Sequence, residues 1–154
     1  AYFENDRSGH SIVTKIELAE YATLEEKISN LILLREREGL ENDLDIFIIT
    51  ADTHGKADKE LVGINCNITK IHKENEHLKK EQFIVELGLE NVIAIGNGAN
   101  DRKMLKAAKV GIAICLDEGV SSRAVLSADI LVKSIIDALD LLLKPNRLKA
   151  TLRY

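Results

Sequence analysis

The chain has two cysteines in 154 residues, Cys66 and Cys115, and no CxxC pair, so neither a disulfide scaffold nor a cysteine-rich metal centre is available to it. Both lie in apolar segments and are expected to be ordinary buried thiols of a reducing, cytoplasmic compartment. No uncharged apolar run approaches the ~20 residues that would cross a bilayer, so no membrane span is expected. Cations are not in excess either: 21 Lys and Arg lie scattered among 25 Asp and Glu, for a net charge of −4. A nucleic-acid face, which draws its affinity from clustered cations, is not expected. Internal repeats, low-complexity tracts, linkers and a signal-peptide pattern are absent, and the expectation is one domain over residues 1–154. A domain of that size buries roughly 68–70% of the surface of its unfolded chain, enough for a core without staples.

What is present is an alternation of short β-branched runs with helical periods. "TLEEKISNLILLREREG" (23–39) opens on the Thr23–Glu26 capping pattern, repeats apolar residues at helical spacing and stops at Gly39. "DIFIIT" (45–50) and "NVIAIG" (91–96) are apolar on both faces, as strands between helix layers are. A helix is expected over 53–61, a weaker strand at "CNITKI", and a helix over 75–88 ending on Gly88. Beyond these the pattern predicts a helix at about 100–108, a strand "VGIAIC", a short helix near 120–126 and a strand "DILV". "SIIDALDLLLKP" reads as a last helix with a Ser134–Asp137 cap and Pro145, the sole proline, as its stop. Strands alternating with helices imply a parallel sheet covered on both faces, with ligands beyond the carboxyl ends of its strands.

Three polar clusters fall at those ends: Thr50 to Asp52, Lys79 with Lys80, and "GNGAND" (96–101). Gly96 and Gly98 would permit a sharp strand-to-helix turn, and Asp101 could cap backbone N–H groups or approach a cation. Thr50 could donate its hydroxyl to an anion facing the amides beyond it, Ala51 among them, while Asp52 or Thr53 could simply cap a helix. Lysines on a helix are usually solvated, and Lys80 alone says little. His10, His54, His72 and His77 show no metal-ligand spacing.

Taken in order, a strand ending in Thr, then Lys, then a strand ending in G-x-G-x-x-D resembles the second to fourth motifs of the haloacid dehalogenase superfamily of phosphohydrolases. "VIAIGNGANDRKMLKAAKVGIAI" is similar to that family's G-D-G-x-N-D-x-x-M-L stretch. Within the superfamily, "TADTHGKA" and "ADILVKSIIDALDLLL" resemble the phosphorylation domain of P-type ATPases and its small soluble relatives. The likeness covers about residues 44 to 150.

The resemblance implies a three-layer, Rossmann-like α/β fold and Mg²⁺-dependent phosphoryl transfer to an aspartate, followed by hydrolysis of the aspartyl phosphate. Thr50 and Ala51 would bind phosphate, Lys80 would offset its charge, and Asn97 and Asp101 would serve the metal, Asp101 through water. Asn97 stands where the family often has Asp, leaving the site one charge poorer. The first motif has two registers. In one, "NDRSGHS" supplies Asp6 as nucleophile and metal ligand and Ser8 as a carbonyl ligand. In the other, "HSIVTKIEL" is the first strand, no Asp follows it, and the protein is a catalytically degenerate binding or assembly module.

Residues 10 to 50 leave no room for a cap domain or for the nucleotide domain of a pump. A capless site implies an open mouth for a phosphorylated small molecule or a tethered phosphate, or one roofed by a second subunit of a homo-oligomer. A phosphorelay receiver gives no reason for G-N-G-A-N-D, and a dinucleotide binder would need a third glycine.

Overall fold

The computed structural model describes residues 45–51, 58–59, 62 and 66–153. Asp6, Ser8, both registers of the first motif, the helix expected at 23–39, residues 10–44 of the span expected to leave no room for a cap, and most of the segment 53–61 lie outside the described residues. Residues 58 and 59 are helical.

The described strands are all parallel. Phe47–Thr50 (β1) pairs with Asn67–Lys70 (β2), and Ile93–Gly96 (β3), Val110–Ile114 (β4) and Ile130–Val132 (β5) form a second ladder in that order. The helices are Glu76–Leu87 (α1), Arg102–Ala107 (α2), Ser122–Ser127 (α3), Ile135–Leu143 (α4) and Pro145–Leu152 (α5), with 3₁₀ turns at Leu89–Asn91 and Ala99–Asp101. No helix among the described residues is long and apolar enough to cross a membrane.

Successive residues of a strand point to opposite faces, and the core divides accordingly. Ile48, Ile95, Ile112, Ile114 and Ile130 pack on one side with Ile135, Ala138 and Leu139 of α4. Ile49 and Ala94 pack on the other with Ile84 of α1, Met104 and Leu105 of α2 and Ala124 of α3. Each side draws on both β1 and β3, so the two ladders share one interior between two helix layers. This is the expected three-layer, Rossmann-like arrangement, and β1 up to Thr50 and β3, packed on both faces, are apolar for that reason.

Side-chain size sets how closely α2 approaches. On the face of β4 that turns toward it, a Cβ at Gly111 would lie 2.2 Å from the Leu105 carbonyl oxygen. The small residue lets the helix backbone rest almost on the strand, and α2 follows directly from the polar loop after β3.

Three expectations change. Pro145 does follow the end of α4, whose Ser134 cap forms as expected with the Asp137 N–H at 3.1 Å. It does not end the helical structure, because it occupies the first position of α5, where a missing N–H costs nothing and its fixed φ favours a helix start. Leu148 and Leu152 of that helix pack on the first core. Cys115 is exposed rather than buried, because β4 ends at Ile114. β3 also starts later than expected: residues 91 and 92 belong to the preceding turn and its cap.

Two measurements test this packing. Gly111→Ala is expected to cost about 1–3 kcal/mol in urea denaturation, the usual scale of overpacking, since the obstructing atom is backbone and cannot rotate away. Thiol alkylation should label Cys115 before Cys66, which is half-buried and whose thiol burial pushes above its ordinary pKa.

Candidate active site

The buried polar and charged residues among those described are Thr50, at the carboxyl end of β1, and Glu76, Lys80, Asn97 and Asp101. Thr50 ends β1, its carbonyl accepting the Ile71 N–H at 2.9 Å, and Ala51 beyond it is fully buried. The other four come from α1 and from the loop after β3.

The centre is an ion pair. Lys80 Nζ donates to Asp101 Oδ1 at 2.9 Å, with the two residues 0% and 1% exposed. Asp101 Oδ2 accepts the backbone N–H groups of Asn97 at 3.1 Å and Gly98 at 2.9 Å. One carboxylate thus turns the chain off β3, caps the 3₁₀ turn it belongs to and anchors a lysine from another helix.

The glycines in "GNGAND" are explained by volume more than by backbone freedom. Neither Gly96 nor Gly98 has positive φ. A Cβ at Gly96 would lie 2.5 Å from the Asp101 carboxyl carbon, and one at Gly98 would lie 2.3 Å from Asn100 Oδ1. Each glycine makes room for a side chain that folds back from the 3₁₀ turn. The turn is itself tied down, since the Asn97 carbonyl accepts the N–H of Ser121, the N-cap of α3, at 2.8 Å, and Arg102 donates to the Ala99 carbonyl at 2.6 Å.

Glu76 was not marked by the sequence pattern. Its Oε2 accepts a hydrogen bond from Asn100 Nδ2 at 2.6 Å, so α1 grips the loop twice, one turn apart, through Glu76 to Asn100 and through Lys80 to Asp101. The buried stripe of α1 is Glu76, Lys80 and Ile84, while Leu78, Val85 and Leu87 are exposed. A hydrophobic period could not have revealed it, because this helix turns charges inward. The available signal was the i, i+4 spacing of a Glu and a Lys one helical repeat ahead of an isoleucine.

On the outer side of the same helices the cations collect. Arg102, Lys103 and Lys106 line a cleft of about 530 Å³ with Glu81, Ala107 and Ser127. Loss of hydration, and after it the charges of Arg102 and Lys103, hold the His77 imidazole below its ordinary range, with Glu81 acting in the opposite sense.

Oxygen donors of the kind Mg²⁺ prefers are present in Asn97 and Asp101. Asp101, however, already receives three donors, one of them an ammonium, of the roughly four a carboxylate can take. Asn97 and Asp101 thus offer the oxygen donors a hard cation takes, and Asp101 has little capacity left beyond its three donors. Among the described residues no three His, Cys, Asp or Glu side chains gather as a metal cluster. The remaining expected ligands, Asp6 and Ser8, lie outside those residues.

The ion pair predicts a particular mutational pattern. Asp101→Asn and Lys80→Met should each cost about 3–5 kcal/mol in denaturant unfolding, because each leaves the partner charged, buried and unpaired. The double variant should cost distinctly less than their sum. Additive losses below about 1 kcal/mol each would mean that the pair is not held as described.

The geometry can be set beside known proteins. The profile of the haloacid dehalogenase-like hydrolases matches residues 64–115, a span that holds Lys80, Asn97 and Asp101. An uncharacterized protein of Methanocaldococcus jannaschii is 53% identical over 83 residues, covering 51% of this chain and 89% of its own. Among solved structures, the 3-deoxy-D-manno-octulosonate 8-phosphate phosphatase of Moraxella catarrhalis, crystallised with magnesium, phosphate and KDO, superposes with a TM-score of 0.55 at 17% identity. The superposition covers 83% of this chain and 76% of that one, and at such identity it speaks for the fold alone. Over residues 64–115 the chain is thus similar to the haloacid dehalogenase-like hydrolases, and its parallel-stranded fold is shared with the solved phosphatase.

Proposed function

We propose that the protein is a Mg²⁺-dependent phosphohydrolase acting on a phosphorylated small molecule or a tethered phosphate. The observation that carries this reading is the Lys80–Asp101 pair, a lysine fully removed from water and aimed at the strand ends where ligands of parallel sheets bind. A solvated lysine would have no reason to be there. Phosphoryl transfer asks a protein mainly for alignment and for charge placed against the equatorial oxygens.

In this mechanism Thr50 donates its hydroxyl to a phosphoryl oxygen, the Ala51 amide supports it, and Lys80 offsets the charge. An Asp6 carboxylate oxygen attacks phosphorus, the bond to the leaving oxygen breaks, and that oxygen takes a proton from solvent water to depart as the alcohol. Water then attacks the same phosphorus, the acyl-phosphate bond breaks, and the carboxylate is regenerated. Mg²⁺, held by Asp6, the Ser8 carbonyl and Asn97 with Asp101 behind them, would neutralise phosphoryl oxygens when bound. The likeness of "TADTHGKA" to the phosphorylation domains of P-type ATPases supports an aspartyl-phosphate route. Asn97, an amide where a carboxylate would bind a cation more strongly, is the observation that favours the alternative, a non-catalytic binding or assembly module.

Hydrolysis of p-nitrophenyl phosphate with Mg²⁺ and with chelator, in the parent and in Asp6→Asn and Thr50→Val, separates these readings. Expected are a rate abolished by chelator and by Asp6→Asn, and a loss of roughly 10²–10³ in kcat for Thr50→Val, the scale of one transition-state donor. A parent without turnover that also fails to bind beryllofluoride in the presence of Mg²⁺ would sink the phosphohydrolase reading and leave the binding module.

A further inference from the structure

The Glu76–Asn100 contact flanks the ion pair on both of its elements: Glu76 is one helical turn before Lys80, and Asn100 immediately precedes Asp101. We infer that Glu76 is a positioning residue, holding the Asp101 carboxylate against Lys80 by fixing the 3₁₀ turn through Asn100. The geometric part stands by itself, and its effect on turnover rests on the phosphohydrolase reading.

Two observations independent of one another support it. Glu76 is 9% exposed, and removing a carboxylate from water is costly unless strong donors meet it. One such donor is the Asn100 amide, at a length typical of charge-assisted bonds, 2.6 Å. Second, Asn100 is held from its other side. Its Oδ1 lies over Gly98, where any Cβ would come within 2.3 Å, although the Gly98 backbone, at φ −93° and ψ 161°, is open to any residue. Glycine at 98 thus leaves room for the Asn100 side chain where it sits, and nothing in the backbone calls for it.

With Asn100 fixed between Gly98 and Glu76, the next residue has little freedom. Asp101 N–H donates to the Gly98 carbonyl at 3.0 Å, and its carboxylate spans the Asn97 and Gly98 amides and Lys80. Loss of the Glu76 acceptor frees the turn at its midpoint. Lys80 would then lose the orientation that a directed donor needs, even with the core intact. Glu76 touches no reacting atom in this account and acts only through its neighbours.

The test uses the full chain, with amide hydrogen exchange at Asn97, Gly98 and Asp101 and, alongside it, kcat and KM on p-nitrophenyl phosphate. Glu76→Ala and Asn100→Asp should each speed exchange at those three amides by at least about tenfold, the scale of one hydrogen bond to a charged group. The strand amides of Ile112 and Ile114 should stay protected in the same samples, which shows that the variants are folded. Asn100→Asp keeps the shape of the side chain but sets a second carboxylate against Glu76, so it reports the bond without opening a cavity. Glu76→Gln retains an acceptor for Asn100 and should restore near-parental exchange, and a double Glu76→Ala/Asn100→Asp variant should be no worse than either alone. In turnover, kcat should fall with little change in KM and recover in Glu76→Gln. Unchanged exchange in Glu76→Ala, or a Glu76→Gln that behaves like Glu76→Ala, would overturn the inference. A parent without phosphatase activity would remove the phosphohydrolase reading while the exchange measurements still decide this one.

Discussion

An ammonium and a carboxylate, both removed from water, face each other at 2.9 Å where the sheet ends, and most of what is distinctive in this chain follows from keeping them there. Dehydrating two ions costs several kcal/mol each, and their attraction offsets this only when the geometry is good and the remaining lone pairs are met. Asp101 meets that condition with two backbone amides on its second oxygen. To reach them, the carboxylate must lie against the backbone of Gly96, and hence the strand has to end in a residue without a side chain. The turn, the glycine and the inward face of α1 are consequences of one buried pair.

The scaffold supplies the rigidity that this arrangement requires. α2 begins immediately after Asp101 and is pressed against β4 at Gly111, so the helix that carries the aspartate has no slack along the strand. The loop is pinned from a third direction by α3, whose N-cap donates to Asn97. Elements adjacent in space but separate in sequence therefore converge on six residues. A loop of glycines and amides, which in isolation would be mobile, is held by backbone bonds and side-chain bonds together.

Legibility in the sequence divided along physical lines. Elements whose burial is purely apolar were readable: β1, β3 and β4 from doubly buried β-branched runs, α4 from its period and its Ser134 cap. Thr50, Lys80, Asn97 and Asp101 were singled out through the order of motifs, and the structure brings Lys80 and the Asn97 backbone amide to the Asp101 carboxylate. Glu76 stayed hidden because burying a charge breaks the rule on which periodicity depends. The partner of Asn100 stayed hidden because the contact spans 24 positions. Pro145 misled because proline excludes the interior of a helix but suits its first turn, and the letter alone does not say on which side of the boundary it falls. Gly96 and Gly98 were picked out correctly but for another reason, since the missing Cβ matters here and an unusual φ does not.

The charge balance at the strand ends bears on how such a site would take a phosphate. The buried charges described there are Lys80, Asp101 and Glu76, one positive and two negative, and Asn97 contributes none. A phosphate dianion would find no net attraction in that sum. Lys80, already half satisfied by Asp101, offers it aimed N–H donors more than free charge. On the phosphohydrolase reading, the positive charge that draws the ligand in has to come largely from a divalent cation, with the lysine governing orientation once it arrives. An amide at position 97 then weakens the grip on that cation but avoids a third negative charge facing the phosphate, so the same substitution that lowers metal affinity also lowers repulsion of the ligand.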